Sequence, residues 1–263
     1  MPRTLVMGVL NVTPDSFSDG GRWLDPRRAI RHARAMVRQG ADLIDVGGES
    51  TRPGARAVSE REELRRVVPV VEALAAGGIR VSIDTSKAAV AEAALRAGAT
   101  MVNDVTALRG DPRMARVCAR AGADVVLMHM KGTPRTMQKA PRYADVVADI
   151  SSFFRKRLTF ALRRGIARDK IFLDPGIGFG KTPEHNVEIL RRLAEFKKLG
   201  FPLLVGTSRK SFIGRALGGR EPDDRVFGTA ATVAVAVLRG AAVVRVHDVR
   251  EMSDVVRVTD ELR

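Results

Sequence analysis

QGADLIDVGG, residues 39–48, sets a glycine, a short apolar run and a polar ending in a row, and the chain repeats the arrangement three times. AGATMVNDV (97–105), AGADVVLMHM (121–130) and RGAAVVRVHD (239–248) follow the same order. Gly40, Gly98, Gly122 and Gly240 stand where a helix C-terminus calls for a left-handed residue. The apolar runs do not alternate, as expected of parallel strands covered on both faces. Less regular runs extend the set to eight strands, near 5–10, 42–46, 80–84, 101–104, 124–129, 171–174, 202–206 and 243–247. Helical periodicity fills the gaps. Asp25 with Pro26, Ser59 with Glu62, Thr182 with Pro183 and Asp248 with Glu251 supply N-terminal signals. Eight strands alternating with about eight helices predict an α/β protein, a TIM (β/α)8 barrel forming one domain over 1–263. An open doubly wound sheet is the competing architecture. The count of eight, and the lack of G-x-G-x-x-G after the first strand, stand against it.

The composition fits one such domain: 263 residues, 45% of them hydrophobic. A lone cysteine, Cys118, rules out an intrachain disulfide and fits a reducing compartment, the cytoplasm. MPRTLVMGVLNVTP reads as a first strand and not as a signal peptide. No apolar run approaches the length of a membrane span. The net charge is +15. Either an Arg-rich solvated surface or nucleic-acid binding accounts for it. The basic residues are spread over many helical segments and aromatics are only 5%, which favours the surface reading and no nucleic-acid partner. A positive field also draws in small anionic substrates.

In a barrel of this kind the site lies at the C-terminal ends of the strands. Those ends read Asn11, Asp45, Asp84, Asn103 with Asp104, His129, Asp174, Ser208 to Ser211 with Arg209 and Lys210, and Arg245 with His247. One polar strand end is usually a cap or a turn; eight in a row fit capping poorly. Asp84, Asn103 and Asp174 offer the acceptors and donor that read the amino-oxo edge of a purine-like or pterin-like heterocycle. Lys210 adds a point charge beside the ring. Arg245 and His247, two apart on one strand, share a face. With Asn11, Thr51 and Arg52 they suit a phosphate or pyrophosphate. The alternatives are an ion pair within the barrel for Arg245, and a packed, hydrogen-bonded imidazole for His247 and for His129. Residues 11–25 and 47–58, rich in Gly, Pro, Ser and Asp, read as lids over the barrel mouth. GIGFGKT, 176–182, lacks the spacing of a phosphate-binding P-loop.

The motifs MGVLNVTPDSFSDGG, GADLIDVGGESTRPGA, VSIDT, MVNDV, VLMHMKGTPRTMQ, LDPGIGFGKT, GTSRKSFIG and RVHDV run from end to end of the chain. Together they resemble the dihydropteroate synthase family, whose members are transferases and sulfonamide targets of folate biosynthesis. The resemblance implies condensation of p-aminobenzoate with 6-hydroxymethyl-7,8-dihydropterin diphosphate, with release of pyrophosphate, assisted by Mg2+. It implies pterin binding by Asp84, Asn103, Asp174 and Lys210, with Arg245 against the ring face. Asn11, Thr51, Arg52, Arg245 and His247 are implied for the diphosphate. Phe17, Thr51, Pro53, Phe179, Lys210 and Ser211 are implied for p-aminobenzoate. Mg2+ is implied at Asn11, with Asp19 beside it, and a homodimer is implied, for which the apolar segment GTAATVAVAVLRG (228–240) is the candidate surface. C–O cleavage ahead of attack is the expected order. The rival readings are a pterin-binding methyltransferase acting from methyltetrahydrofolate to a corrinoid protein, and a non-catalytic binder.

Overall fold

The computed structural model describes residues 3–13, 25–50, 57–134 and 136–263. Eight parallel strands close into a barrel in sequence order, β1 (Leu5–Asn11), β2 (Leu43–Gly47), β3 (Val81–Asp84), β4 (Met101–Asp104), β5 (Asp124–Met128), β6 (Ile171–Asp174), β7 (Leu203–Val205) and β8 (Ala241–Val246). β1 pairs with both β2 and β8, which completes the ring. The helices between them are α1 (Pro26–Arg38), α2 (Glu60–Ala76), α3 (Ala88–Arg96), α4 (Met114–Ala121), α5 (Val146–Arg163), α6 (Pro183–Arg191), α7 (Ser211–Ala216) and α8 (Val226–Leu238), and α9 (Val249–Glu261) follows the last strand. None among the described residues is long and apolar enough to cross a membrane. The expected barrel is present, each strand lying within two residues of its expected bounds.

The two-residue period of a strand explains how the barrel is filled. Met7, Leu43, Met101, Val126, Leu204 and Val243 form an apolar layer inside it. Two residues further along come Asp45, Asn103, Gly206 and Arg245 on four of these strands, and the apolar Val9 and Met128 on β1 and β5. The polar rim is thus the next inward layer above an apolar plug. Outward residues such as Val6, Ile44, Val102 and Val244 join the larger core beneath the helices. The barrel wall is thinnest at β7, three residues long, where β6 pairs only through Leu173 and Leu203 and the β7–β8 register shifts between Leu203 and Leu204. That thin wall lies beside the β6–α6 and β7–α7 turns that carry Phe179 and Lys210.

The local signals held unevenly. Gly40, Gly98, Gly122 and Gly240 all have positive φ. Asp25 caps α1, and Thr182 caps α6 in a reciprocal box with His185. Ser59 accepts from Glu62 N at 3.2 Å, but the Glu62 carboxylate turns to Arg65 and Arg66 and does not complete the box. Asp248 makes no side-chain cap to α9, because Arg209 takes both its oxygens. A guanidinium fork outcompetes a single backbone N–H.

Candidate active site

The described cleft at the C-terminal end of the barrel is lined by Asp84, Asn103, Asp174, Phe179, Lys210, Arg245 and His247, with Val105, Met128 and Ile177 as its apolar wall. Seven residues expected from the sequence are therefore brought together. Asn11 stands beside them at the end of β1, where its Oδ1 lies 3.5 Å from the Cβ position of Gly47 and the Asp84 Cβ lies 3.6 Å from the same point. A side chain at Gly47 would fill the gap between Asn11 and Asp84. Ser211 is exposed at the start of α7 and is not part of the cleft wall. Phe17, Asp19, Thr51, Arg52 and Pro53 lie outside the described residues, as do the lid segments 14–24 and 51–56.

Arg245 organises the charges. Its Nε donates to Asp45 Oδ2 at 2.6 Å and its Nη2 to Asp84 Oδ2 at 2.9 Å. The ion pair within the barrel and the place in the cleft are one arrangement. Asp45, wholly buried, also accepts from Asn103 Nδ2 at 2.9 Å. That bond fixes the amide orientation, so Asn103 Oδ1 is left as a buried acceptor with no hydrogen bond among the described residues. Asp174 accepts from Gly176 N at 2.7 Å through Oδ1. Lys210 Nζ donates to the Ile177 carbonyl at 2.5 Å and lies 4.4 Å from the centre of the Phe179 ring. Ser208 Oγ accepts from His247 N at 3.1 Å and sits 3.0 Å from its Nδ1, which orients the imidazole.

Burial sets the protonation of these groups. Desolvation, then repulsion from Asp45, pushes the Asp84 carboxyl up to about 7, although Arg245 pulls the other way. Desolvation raises Asp174 as well, opposed by its bond from Gly176 and by Lys210. Desolvation brings Lys210 down to about 8, against the attraction of Asp174. The cleft thus presents one carboxyl, Asp84, and one amine, Lys210, that exchange protons near neutrality, together with an orphan amide acceptor.

Two of the polar strand ends face elsewhere. Asp104 accepts from Thr106 N and Oγ1 and from Leu108 N, and so builds the β4–α4 turn. Its neighbour Asn103 points inward and Asp104 outward, as the strand period requires. His129 is buried against Phe153 in an edge-on contact, with Lys181 Nζ 3.0 Å from its Nδ1. Burial, then the Lys181 charge, drives its pKa down to about 2, so the ring stays neutral. Lys181, 2% exposed, also donates to the Phe179 carbonyl at 2.9 Å. The lysine of GIGFGKT therefore ties the turn to the core and does not face a phosphate. Sequence reasoning gave no role to Asp45 or Ser208. Both stand among the polar strand ends read from the sequence, and the two-residue step from Leu43 to Asp45 was the further signal for the first. Among the described residues no cluster of three or more His, Cys, Asp or Glu is placed to hold a metal ion.

Residues 7–247 match the family described as pterin binding enzyme. The chain is 50% identical over 261 residues to dihydropteroate synthase of Synechocystis sp., covering 99% of this chain and 90% of the relative. Among solved structures, Yersinia pestis dihydropteroate synthase in a sulfonamide drug complex superposes with a TM-score of 0.97 at 48% identity, covering 99% of this chain and 94% of that one. Xanthomonas albilineans dihydropteroate synthase with 4-aminobenzoic acid gives 0.92 at 46% identity, covering 99% and 93%. A family match over residues 7–247, and relatives covered over nine-tenths of their length at 46–50% identity, place the chain among the pterin-binding enzymes as a dihydropteroate synthase.

Proposed function

We propose that this chain joins p-aminobenzoate to 6-hydroxymethyl-7,8-dihydropterin diphosphate at the described cleft, making 7,8-dihydropteroate and pyrophosphate. The observation that carries the reading is the fixed orientation of Asn103: with Nδ2 bound to Asp45, its Oδ1 joins the Asp84 and Asp174 carboxylates as an acceptor. A pterin edge is rich in N–H donors and matches that set. Lys210 supplies the donor for a ring oxygen or nitrogen, and Arg245 lies against the ring face. His247, Asn11 and Arg245, with Thr51 and Arg52, bind the diphosphate. Phe179 and Lys210, with Phe17, Thr51, Pro53 and Ser211, form the p-aminobenzoate pocket.

The arylamine is neutral at pH 7 and needs no strong base. The C–O bond to the diphosphate breaks first and its electron pair leaves with pyrophosphate; the amine nitrogen then bonds the exocyclic methylene of the pterin cation, and the amine proton leaves to solvent. The barrier lies in the leaving group, where Arg245 and His247 stabilise the growing charge. Asn11 makes no side-chain hydrogen bond among the described residues, and a neutral amide oxygen at a strand end suits a hard cation such as Mg2+. Asn11, with Asp19, would hold that ion, which when bound neutralises charge on the diphosphate. The protein works in the cytoplasm as a homodimer. Phe227 and Leu238 of α8, 81% and 52% exposed, are the apolar surface for a second copy, while Thr229, Val233, Ala236 and Val237 are buried within the chain.

The test is pyrophosphate release from the dihydropterin diphosphate with Mg2+, with and without p-aminobenzoate, for wild type and Lys210→Ala. Release that depends on p-aminobenzoate and falls by about a hundredfold in the variant is expected. Pterin binding without turnover in the wild type overturns the reading and returns the methyltransferase and the non-catalytic binder.

A further inference from the structure

We propose that Gln138, Tyr143 and Lys181 are positioning residues: by holding consecutive carbonyls of the β6–α6 turn they aim the Phe179 ring into the cleft and so set the affinity for p-aminobenzoate, a role that rests on the function proposed above. Gln138 Nε2 donates to the Gly178 carbonyl at 2.7 Å, Lys181 Nζ to the Phe179 carbonyl at 2.9 Å and Tyr143 OH to the Gly180 carbonyl at 2.7 Å. The carbonyl before them, at Ile177, accepts from Lys210. Every carbonyl from Ile177 to Gly180 therefore ends on a side-chain donor, and among the described residues none takes a backbone N–H. Gln138 and Tyr143 both belong to the connection between β5 and α5. That connection also backs the ring, since Phe179 packs against Val105, Met128, Met130 and Met137. Lys210 Nζ stands 4.4 Å from the ring centre.

The sequence of the turn explains why it needs donors from elsewhere. Phe179 lies between Gly178 and Gly180, at φ +82 and +65. Glycine restricts the backbone least, so the local chain does not decide where Phe179 points. Lys181 shows that position, and not stability, is served. It is 2% exposed, and its amine meets His129 Nδ1, the His129 carbonyl and the Phe179 carbonyl, with no carboxylate in ion-pair reach among the described residues. Burying an amine without a carboxylate is unfavourable, and a methionine would fill the same space. Apolar packing has no direction, whereas a donor on the Phe179 carbonyl does. The inner part of the turn is fixed by other bonds: Gly176 N donates to Asp174 Oδ1 and Gly178 N to Asn186 Oδ1, both at 2.7 Å. Asp174, on the pterin side of the cleft, is thus held independently of the outer donors, and Phe179 is not.

The experiment compares wild type with Gln138→Met, Tyr143→Phe, their double variant, Lys181→Met and Gln138→Lys. Gln138 is exposed, and Tyr143→Phe deletes only a hydroxyl. The readouts are KM for p-aminobenzoate and, by calorimetry, the Kd of a pterin that lacks the diphosphate. Loss of one bond is expected to raise KM about threefold and loss of two about tenfold, while the pterin Kd stays within about twofold. Gln138→Lys keeps a donor at this position and is expected to stay within about twofold of wild type in KM. An unchanged KM in the double variant overturns the positioning role. So does a pterin Kd that rises in parallel with KM, which is the result of a merely structural contact. Should Lys181→Met or the double variant fail to fold, Gln138→Met against Gln138→Lys reads the same split. A wild type without p-aminobenzoate-dependent turnover refutes the proposed function itself, whereas turnover with no split refutes only the positioning role.

Discussion

Replacing Gly176 with alanine separates what the β6–α6 turn demands from what glycine merely tolerates. Gly176 has φ +67, and a Cβ there would lie 2.0 Å from the His129 carbonyl oxygen, far inside the 3.0 Å that Cβ contacts respect, and 3.1 Å from its carbon. The obstacle is backbone and has no rotamer to escape into. His129 N donates to the Asp174 carbonyl at 2.9 Å, so relief of the clash pulls the ends of β5 and β6 apart where Asp174 enters the cleft. Left-handed backbone for an alanine costs about 1–2 kcal/mol. A strained buried hydrogen bond adds about 1 kcal/mol, and shifted packing about 1–3 kcal/mol. The sum is about 4 kcal/mol, in the range that marks a named structural conflict. Gly122, at the end of α4, is the internal control: its φ is +59, but nothing lies within 4 Å of its Cβ position. There the backbone term stands alone, about 1 kcal/mol. Equilibrium urea unfolding of both variants measures the difference. The folded Gly176→Ala fraction is also expected to bind pterin weakly, because Asp174 has moved. If the two substitutions cost the same within about 0.5 kcal/mol, the turn is not held against β5 and the reasoning fails.

Asp84 has its pKa raised from 3.8 to about 7, so the folded chain holds that proton more tightly than the unfolded chain does. Its contribution to stability is fully present below 3.8 and is lost as pH rises to about 7. The proposed pterin contact takes the ionised form of Asp84, so the pterin Kd is expected to rise about tenfold per pH unit below this break, and Asp45→Asn to move the break to lower pH; a flat calorimetric profile between about pH 5 and 8 rejects the assignment. Phe227→Glu is expected to convert a dimer to monomer in sedimentation without altering the fold; a wild type that is already monomeric at micromolar concentration removes the dimer.

The barrel was legible because its signal is repeated. A glycine-closed helix followed by a buried run recurs around the ring, and one uncertain strand, such as the three-residue β7, does not disturb the count. The rim was legible for a related reason, since β2, β4 and β8 each make the same two-residue step from the apolar layer to a polar residue. Direction was less legible. Asp104 and Asn103 are adjacent polar residues, and only the register decides that one enters the cleft and the other builds a turn. Capping was misread where a stronger partner stood far away in sequence: Asp248 is taken by Arg209, 39 residues distant. Asp45 was passed over because its importance is a matter of depth. It pairs in register with Ser82, two residues below Asp84, and no local pattern reports a charge's depth in a barrel.

That depth explains why the central cation is an arginine. Asp45 is wholly buried and does not line the cleft, yet it holds Arg245 by Nε while Nη2 reaches Asp84. A ligand that takes Asp84 as its acceptor has to displace only the Nη2 bond. The guanidinium stays anchored at Nε, keeps its place in the cleft and still neutralises the buried Asp45. A lysine carries its three N–H donors on one nitrogen, so it has no second nitrogen to stay anchored on Asp45 while the first turns to a ligand. The planar fork divides the two tasks between separate nitrogens. The same division frees Asn103 Oδ1, because Asp45 holds the amide's donor side as well. One carboxylate beneath the site thus fixes the orientation of both an acceptor and a cation above it.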